Sequence, residues 1–132
     1  MIQMKSRLKV ADNAGTFQVA CIRVYGGSKR KIAKLGEIIK IVAKKIRSRG
    51  KARTKKGEKL KALIIRTKTK TFRADGSSLC FDQNTVVILR PKKQFQLKIL
   101  PRGTRIFGPV SHELRYGNDD FSRIILMSPK KI

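Results

Sequence analysis

Residues 60–65 read Leu60-Lys61-Ala62-Leu63-Ile64-Ile65, and residues 85–89 read Thr85-Val86-Val87-Ile88-Leu89. Both runs are rich in β-branched residues and too short for a typical buried helix, so they read as strands. Successive side chains of a strand point to opposite faces. Ala62 and Ile64 therefore share one face while Leu63 and Ile65 share the other, and Val86 to Leu89 are apolar on both. Strands of this kind need cover on both sides, an interior on one and a second layer on the other.

Working outward, similar runs recur at Arg7 to Ala11, Phe17 to Tyr25 and Glu37 to Ile46. Gly and Asx punctuation separates them at Asn13-Ala14-Gly15, Gly26-Gly27 and Gly57. The fourth and fifth runs extend over Leu60 to Thr71 and Thr85 to Leu89. Five short strands suit a small closed β-barrel in an all-β chain. The outer cover falls to the C-terminal stretch. There Ser111 with Glu113 and Leu114 suggests one short helix, and Asn118 or Asp119 caps a second that carries Phe121, Ile124, Ile125 and Met127 and stops at Pro129. At 132 residues the chain fits a single domain with a true core.

Charge is the dominant bulk property. Lys and Arg number 33 against eight Asp and Glu, a formal net charge of +25. Such a chain repels itself unless it meets a polyanion, and contact with phosphates releases condensed counterions. Ten of the cations lie within Lys44 to Lys61 against Glu58 alone, a polybasic arm carrying Lys44, Lys45, Arg47, Arg49, Lys51, Arg53, Lys55 and Lys56. A smaller cluster, Lys29, Arg30 and Lys31 with Lys34, follows the Gly26-Gly27 turn. From Arg66 to Arg73 basic and hydroxyl residues alternate, placing Arg66, Lys68 and Lys70 on one strand face, and Asp75-Gly76 then signals a basic hairpin. With Arg23 these cations form the expected RNA-binding set. No apolar run approaches a membrane span of about 18 residues, and no membrane partner is expected.

The chemistry of catalysis is not visible. The single histidine, His112, sits beside Ser111 and Glu113, too close along one chain to make a triad by themselves. Cys21 and Cys80 fall in apolar runs where thiols usually pack, and they form no paired motif, which suits a reducing compartment. No phosphate loop, zinc ligand set or carboxylate cluster appears, so no enzyme, cofactor or metal is expected. Among eight aromatics, Phe17, Phe81 and Phe107 look core-facing. Recognition of folded RNA by shape and backbone is therefore expected over base stacking.

Several segments occur in an order that resembles the bacterial-type members of the universal large-subunit ribosomal protein fourteen family. They are Leu8 to Gly15, Cys21 to Val24 with Gly26-Gly27, Gly36 to Lys40, Arg49 to Lys51, and Lys55 to Gly57. Next come Ala62 to Ile65, Asp75-Gly76, Phe81, Asn84 and Val87-Ile88. Last are Gly103-Thr104-Arg105-Ile106-Phe107-Gly108-Pro109-Val110, Glu113 to Arg115, and Phe121 with Ile124-Ile125. The resemblance implies one ribosomal-protein β-barrel domain over residues 1–132, five-stranded and closed, with a basic hairpin and short C-terminal helices in a helical portion over 109–132. It implies a structural role: binding large-subunit rRNA, neighbouring ribosomal proteins three and nineteen, and helping to bridge to the small-subunit rRNA. It also implies a face for the ribosomal silencing factor at Thr104, Arg105 and Arg123, the last with Arg where the family has Lys.

Two departures stand out. A basic insertion, residues 90–102, replaces a shorter turn and is expected to be lineage-specific. Its Gln94, Gln96 and Lys98 alternate with Phe95, Leu97 and Ile99, so it either reaches a partner or packs back as an extra edge strand. The charge and a composition of 20 Lys and 15 Ile, as from an A+T-rich genome, point to a mitochondrial ribosome in the matrix. The match from Met1 suggests an organelle-encoded gene. The bacterial cytoplasm is the alternative location, and a free-standing RNA- or DNA-binding barrel is the alternative function.

Overall fold

The computed structural model describes residues 1–48, 53–92, 94, 98–116 and 121–132. Five strands close into the expected barrel: β1 (Arg7–Val10), β2 (Thr16–Val24), β3 (Ile38–Ile46), β4 (Lys59–Arg66) and β7 (Thr85–Ile88), in the order β1-β2-β3-β4-β7. Neighbours are antiparallel except at the closure, where β1 runs parallel to β7 with Lys9 opposite Thr85 and Val10 opposite Val86.

The two-faced strands form two cores. Leu60, Ala62 and Ile64 of β4 and Val86 and Ile88 of β7 face the interior with Leu8, Val19, Cys21, Ile39 and Ile41. Leu63 and Ile65 of β4, Val87 and Leu89 face outward into a second cluster with Ile106, Val110, Leu114, Phe121, Ile124 and Ile125. The outer cover is thus the C-terminal stretch, as its apolar pattern requires. It is less helical than expected. The first element is a 3-10 turn (His112–Arg115) capped by Ser111, whose hydroxyl accepts from the Glu113 N–H at 3.3 Å. The second is a six-residue helix, α1 (Ser122–Met127), preceded by Phe121 without a side-chain cap. Asn118 and Asp119 lie outside the described residues. Two-residue strands β8 (Pro109–Val110) and β9 (Lys130–Lys131) pair in parallel and tie the chain's end to the cover.

The expected strand Leu60 to Thr71 divides. β7 begins at Thr85, opposite Arg66, so residues 67–70 have no barrel strand to pair with. The Lys68 N–H instead donates to Asn84 Oδ1 at 2.9 Å, and Phe81 N–H to the Thr67 carbonyl at 3.0 Å. The chain then forms the hairpin β5 (Thr71–Phe72) and β6 (Ser78–Leu79). Asp75-Gly76 sits in its turn, with Asp75 Oδ1 accepting from the Ser77 N–H at 2.9 Å and Gly76 at φ 85.

The foot of the 90–102 insertion belongs to the barrel. Arg90 N–H donates to the Leu100 carbonyl at 2.9 Å, Arg102 N–H to that of Ile88 at 2.8 Å, and Ile99 packs on the second cluster. Lys93, Phe95, Gln96 and Leu97 lie outside the described residues. Deleting residues 92–98 while keeping this foot is expected to leave the thermal unfolding midpoint of the free protein within about 2 °C, a stability change of only a few tenths of a kcal/mol. A fall of about ten degrees would place the deleted residues in the core.

Candidate nucleic-acid interface

The acidic residues are mostly consumed by the fold. Glu37 accepts from the Lys34 N–H at 2.8 Å and pairs with Arg30, while Glu58 accepts from the Lys55 N–H at 2.9 Å and from Arg102 at 2.9 Å. The Lys55 amide and the Arg102 guanidinium hold the Glu58 carboxyl below its ordinary value. Glu113 is partly desolvated, but the hydrogen bond and charge of Arg73 outweigh that, and its pKa falls. Asp12 is buried and accepts from Ala14 N–H and Ile88 N–H, both at 2.9 Å. Burial raises its pKa against those bonds and the charges of Arg102 and Arg53. The described residues contain three ion pairs, far fewer than the cations, so most of the positive charge faces solvent unneutralised.

The polybasic arm leaves β3 and returns to β4 with its base fastened to one loop. Arg47 N–H donates to the Gly15 carbonyl at 2.8 Å and Arg53 N–H to that of Ala14 at 3.0 Å. Lys44, Lys45, Arg47, Lys55 and Lys56 are exposed, as are Arg23, Lys29 and Lys31. Arg53 is exposed but donates to the Arg102 carbonyl at 2.9 Å. Arg49 and Lys51 lie outside the described residues.

Not every expected cation is free. The half-buried Arg66 guanidinium donates to the carbonyls of Phe107 at 2.9 Å and Pro109 at 3.1 Å, and burial lowers its pKa. Arg73 is held by Glu113 and by the Ile132 carbonyl at 2.8 Å. Arg66 fastens the cover to the barrel and Arg73 ties the hairpin to the cover, whereas Lys68 and Lys70 between them are exposed. The Gly103 to Gly108 segment packs closely at both of its glycines. A Cβ at Gly103 would meet Asn13 Oδ1 at 2.8 Å and Asp12 Cβ at 2.9 Å, and one at Gly108 would sit on the Arg66 guanidinium.

Asn13 anchors the same segment: its Oδ1 accepts from Thr104 N–H at 2.7 Å and Arg105 N–H at 3.2 Å, and its Nδ2 donates to the Thr104 hydroxyl at 2.7 Å. Thr104 and Arg123 then line one groove of about 510 Å³ with Arg90, Lys98 and the exposed Leu126. Arg105 follows Thr104 directly and is exposed. Four residues expected in apolar surroundings, Phe17, Phe81, Phe107 and Cys80, lie elsewhere. Phe17 and Phe107 are 56% and 55% exposed and Phe81 is only half-buried, so they are not core residues. Register shifts on either side of Gln18 break the alternation that would have pointed Phe17 inward with Val19. Cys80 is exposed at the end of the hairpin, while Cys21 packs in the barrel. His112 meets the Tyr116 ring edge-on at 5.6 Å, and its neighbour Glu113 is engaged by Ser111 and Arg73.

Among known proteins, the family model described as Ribosomal protein L14p/L23e matches residues 1–132, the whole chain.

Proposed function

Because the chain belongs to the ribosomal protein L14p/L23e family, and is therefore a structural protein of the large ribosomal subunit, we propose that it scaffolds large-subunit rRNA through its exposed cations. The observation that supports this most directly is the disposition of charge: Glu37, Glu58 and Glu113 are engaged in capping loops and bracing the cover, while the described cations of the arm, Lys44, Lys45, Arg47, Lys55 and Lys56, are exposed around a base held by backbone bonds. Arg and Lys would meet phosphates, which position without reading sequence. The contacting set is Arg23, Lys29, Lys31, the arm, Lys68 and Lys70, with Arg30, Arg66 and Arg73 holding the surface in shape.

The partners we propose are ribosomal proteins three and nineteen, the small-subunit rRNA across the interface, and the silencing factor on the groove beside Thr104, Arg105 and Arg123. We place the protein in a mitochondrial ribosome on its charge and its Lys- and Ile-rich composition. The test is a salt titration of the isolated protein on large-subunit rRNA, together with sedimentation of its native lysate. Steeply salt-dependent binding and comigration with large subunits are expected, and a free pool with no subunit-bound fraction would favour the free-standing barrel instead.

The groove gives a narrower prediction. Thr104 spends its hydroxyl on Asn13, so Arg105→Ala with Arg123→Ala is the cleaner probe. The double variant is expected to enter large subunits at wild-type level yet bind purified silencing factor about tenfold more weakly, as for loss of roughly 1.4 kcal/mol at an interface. Failure to enter subunits would make both arginines structural.

A further inference from the structure

Between the hairpin and the loop that precedes β3 lies a cavity of about 430 Å³. Phe72 forms one wall and is 77% exposed, an unusual position for a phenylalanine. The reason is local. β5 and β6 are a two-residue pair with no second layer, so the side chain at Phe72 has nothing of its own fold to lie against. Lys34 and Lys70, both exposed, line the same cavity, together with Thr71, the half-buried Leu35 and Met1, whose N-terminal ammonium donates to the Thr69 hydroxyl. The one acid on its wall, Glu113, already has its carboxylate engaged by Arg73 and Ser111. What the cavity offers is an aromatic face and three ammonium groups, those of Lys34, Lys70 and Met1, at the small end of the roughly 300–1,000 Å³ range of ligand sites.

We propose that this cavity receives a single unpaired nucleotide of RNA, its base stacked on Phe72 and its phosphate held by Lys34 and Lys70. The inference rests on the RNA-binding reading and deepens it, from backbone contact to capture of one extruded base. Aromatic side chains hold splayed bases by stacking, with little demand on base identity, and lysine meets phosphate as a mobile point charge. Charge favours RNA over a protein occupant. The wall's lysines are in none of the ion pairs among the described residues, and its apolar surface, Phe72 with Met1 and Leu35, is small beside a protein-binding patch.

The experiment uses the full chain and two short RNA duplexes, one with a single bulged adenosine and one fully paired. The bulged duplex is expected to bind about tenfold more tightly, the order expected for one stacked base. Phe72→Leu keeps an apolar side chain at an exposed position, so the fold should persist. It is expected to remove the preference while binding the paired duplex as the wild type does, and Phe72→Trp to retain it. Equal binding of the two duplexes by the wild type, or a preference that survives in Phe72→Leu, overturns the proposal. Loss of salt-dependent binding to the paired duplex would instead overturn the RNA-binding reading, and this inference with it. A photoreactive benzoyl-phenylalanine replacing Phe72 should crosslink to RNA in assembled large subunits, and a crosslink to protein alone would give the cavity to a protein.

Discussion

Replacing Arg47, Arg49, Lys51 and Lys56 together with Ala is expected to lower the slope of log affinity for rRNA against log salt by about three. Each phosphate contact contributes roughly 0.7 to 0.9 to that slope through counterion release. Arg53 is left in place because its guanidinium braces the Arg102 carbonyl. The fold should survive, since the arm's base is closed by main-chain bonds from Arg47 to Gly15 and from Arg53 to Ala14, which side-chain truncation does not touch. Filter binding across about 50 to 200 mM salt measures the slope. An unchanged slope with an unchanged unfolding midpoint would remove the arm from the interface.

Asp12→Ala is expected to destabilise the isolated protein by about 3–5 kcal/mol. The carboxylate is 5% exposed and satisfies two main-chain donors, Ala14 N–H at the turn and Ile88 N–H on β7. Truncation leaves both donors buried without acceptors and removes the negative charge facing Arg53 and Arg102. Asp12→Asn restores one acceptor but turns an amide N–H₂ toward the other donor, for a smaller loss of about 2 kcal/mol. The pH dependence has a definite sign. Burial raises the Asp12 pKa above 3.8, so its proton-linked stabilisation is complete below that value and is lost as pH rises through the folded-state pKa. Glu58 and Glu113, with lowered values, act oppositely: their contribution is present above 4.5 and lost as pH falls. Urea unfolding should therefore show the gap between wild type and Asp12→Asn widening as pH drops toward 3.8. A gap that narrows would mean that Asp12 is stabilised as the carboxylate.

Much of the barrel was legible because period-two patterning is a local property. The doubled faces of Leu60 to Ile65 and Val86 to Leu89 announced both cores, and Phe121, Ile124 and Ile125 announced the cover. What escaped depended on distant partners. Arg66 and Arg73 read as surface cations because the carbonyl of Phe107 and the carboxylate of Glu113 lie 41 and 40 positions away. Phe17 read as core because no residue marks the bulge that turns it out. Phe72 drew no attention at all, although a two-residue strand beside Asp75-Gly76 leaves an apolar side chain little to pack on. The basic arm was legible as charge, while the backbone bonds that present it were not.

The parallel seam between β1 and β7 bears on how the protein comes to be folded. Asp12 and Ile88 meet across 76 positions of sequence, so β1 leaves the synthesising ribosome well before the strand it closes against. Loop closure of that length raises contact order and slows the final step of folding. Through that interval a nascent chain bound for +25 has its basic arm already translated while its sheet is unfinished. Polyanions present during synthesis would relieve its self-repulsion and also compete for it until the seam closes.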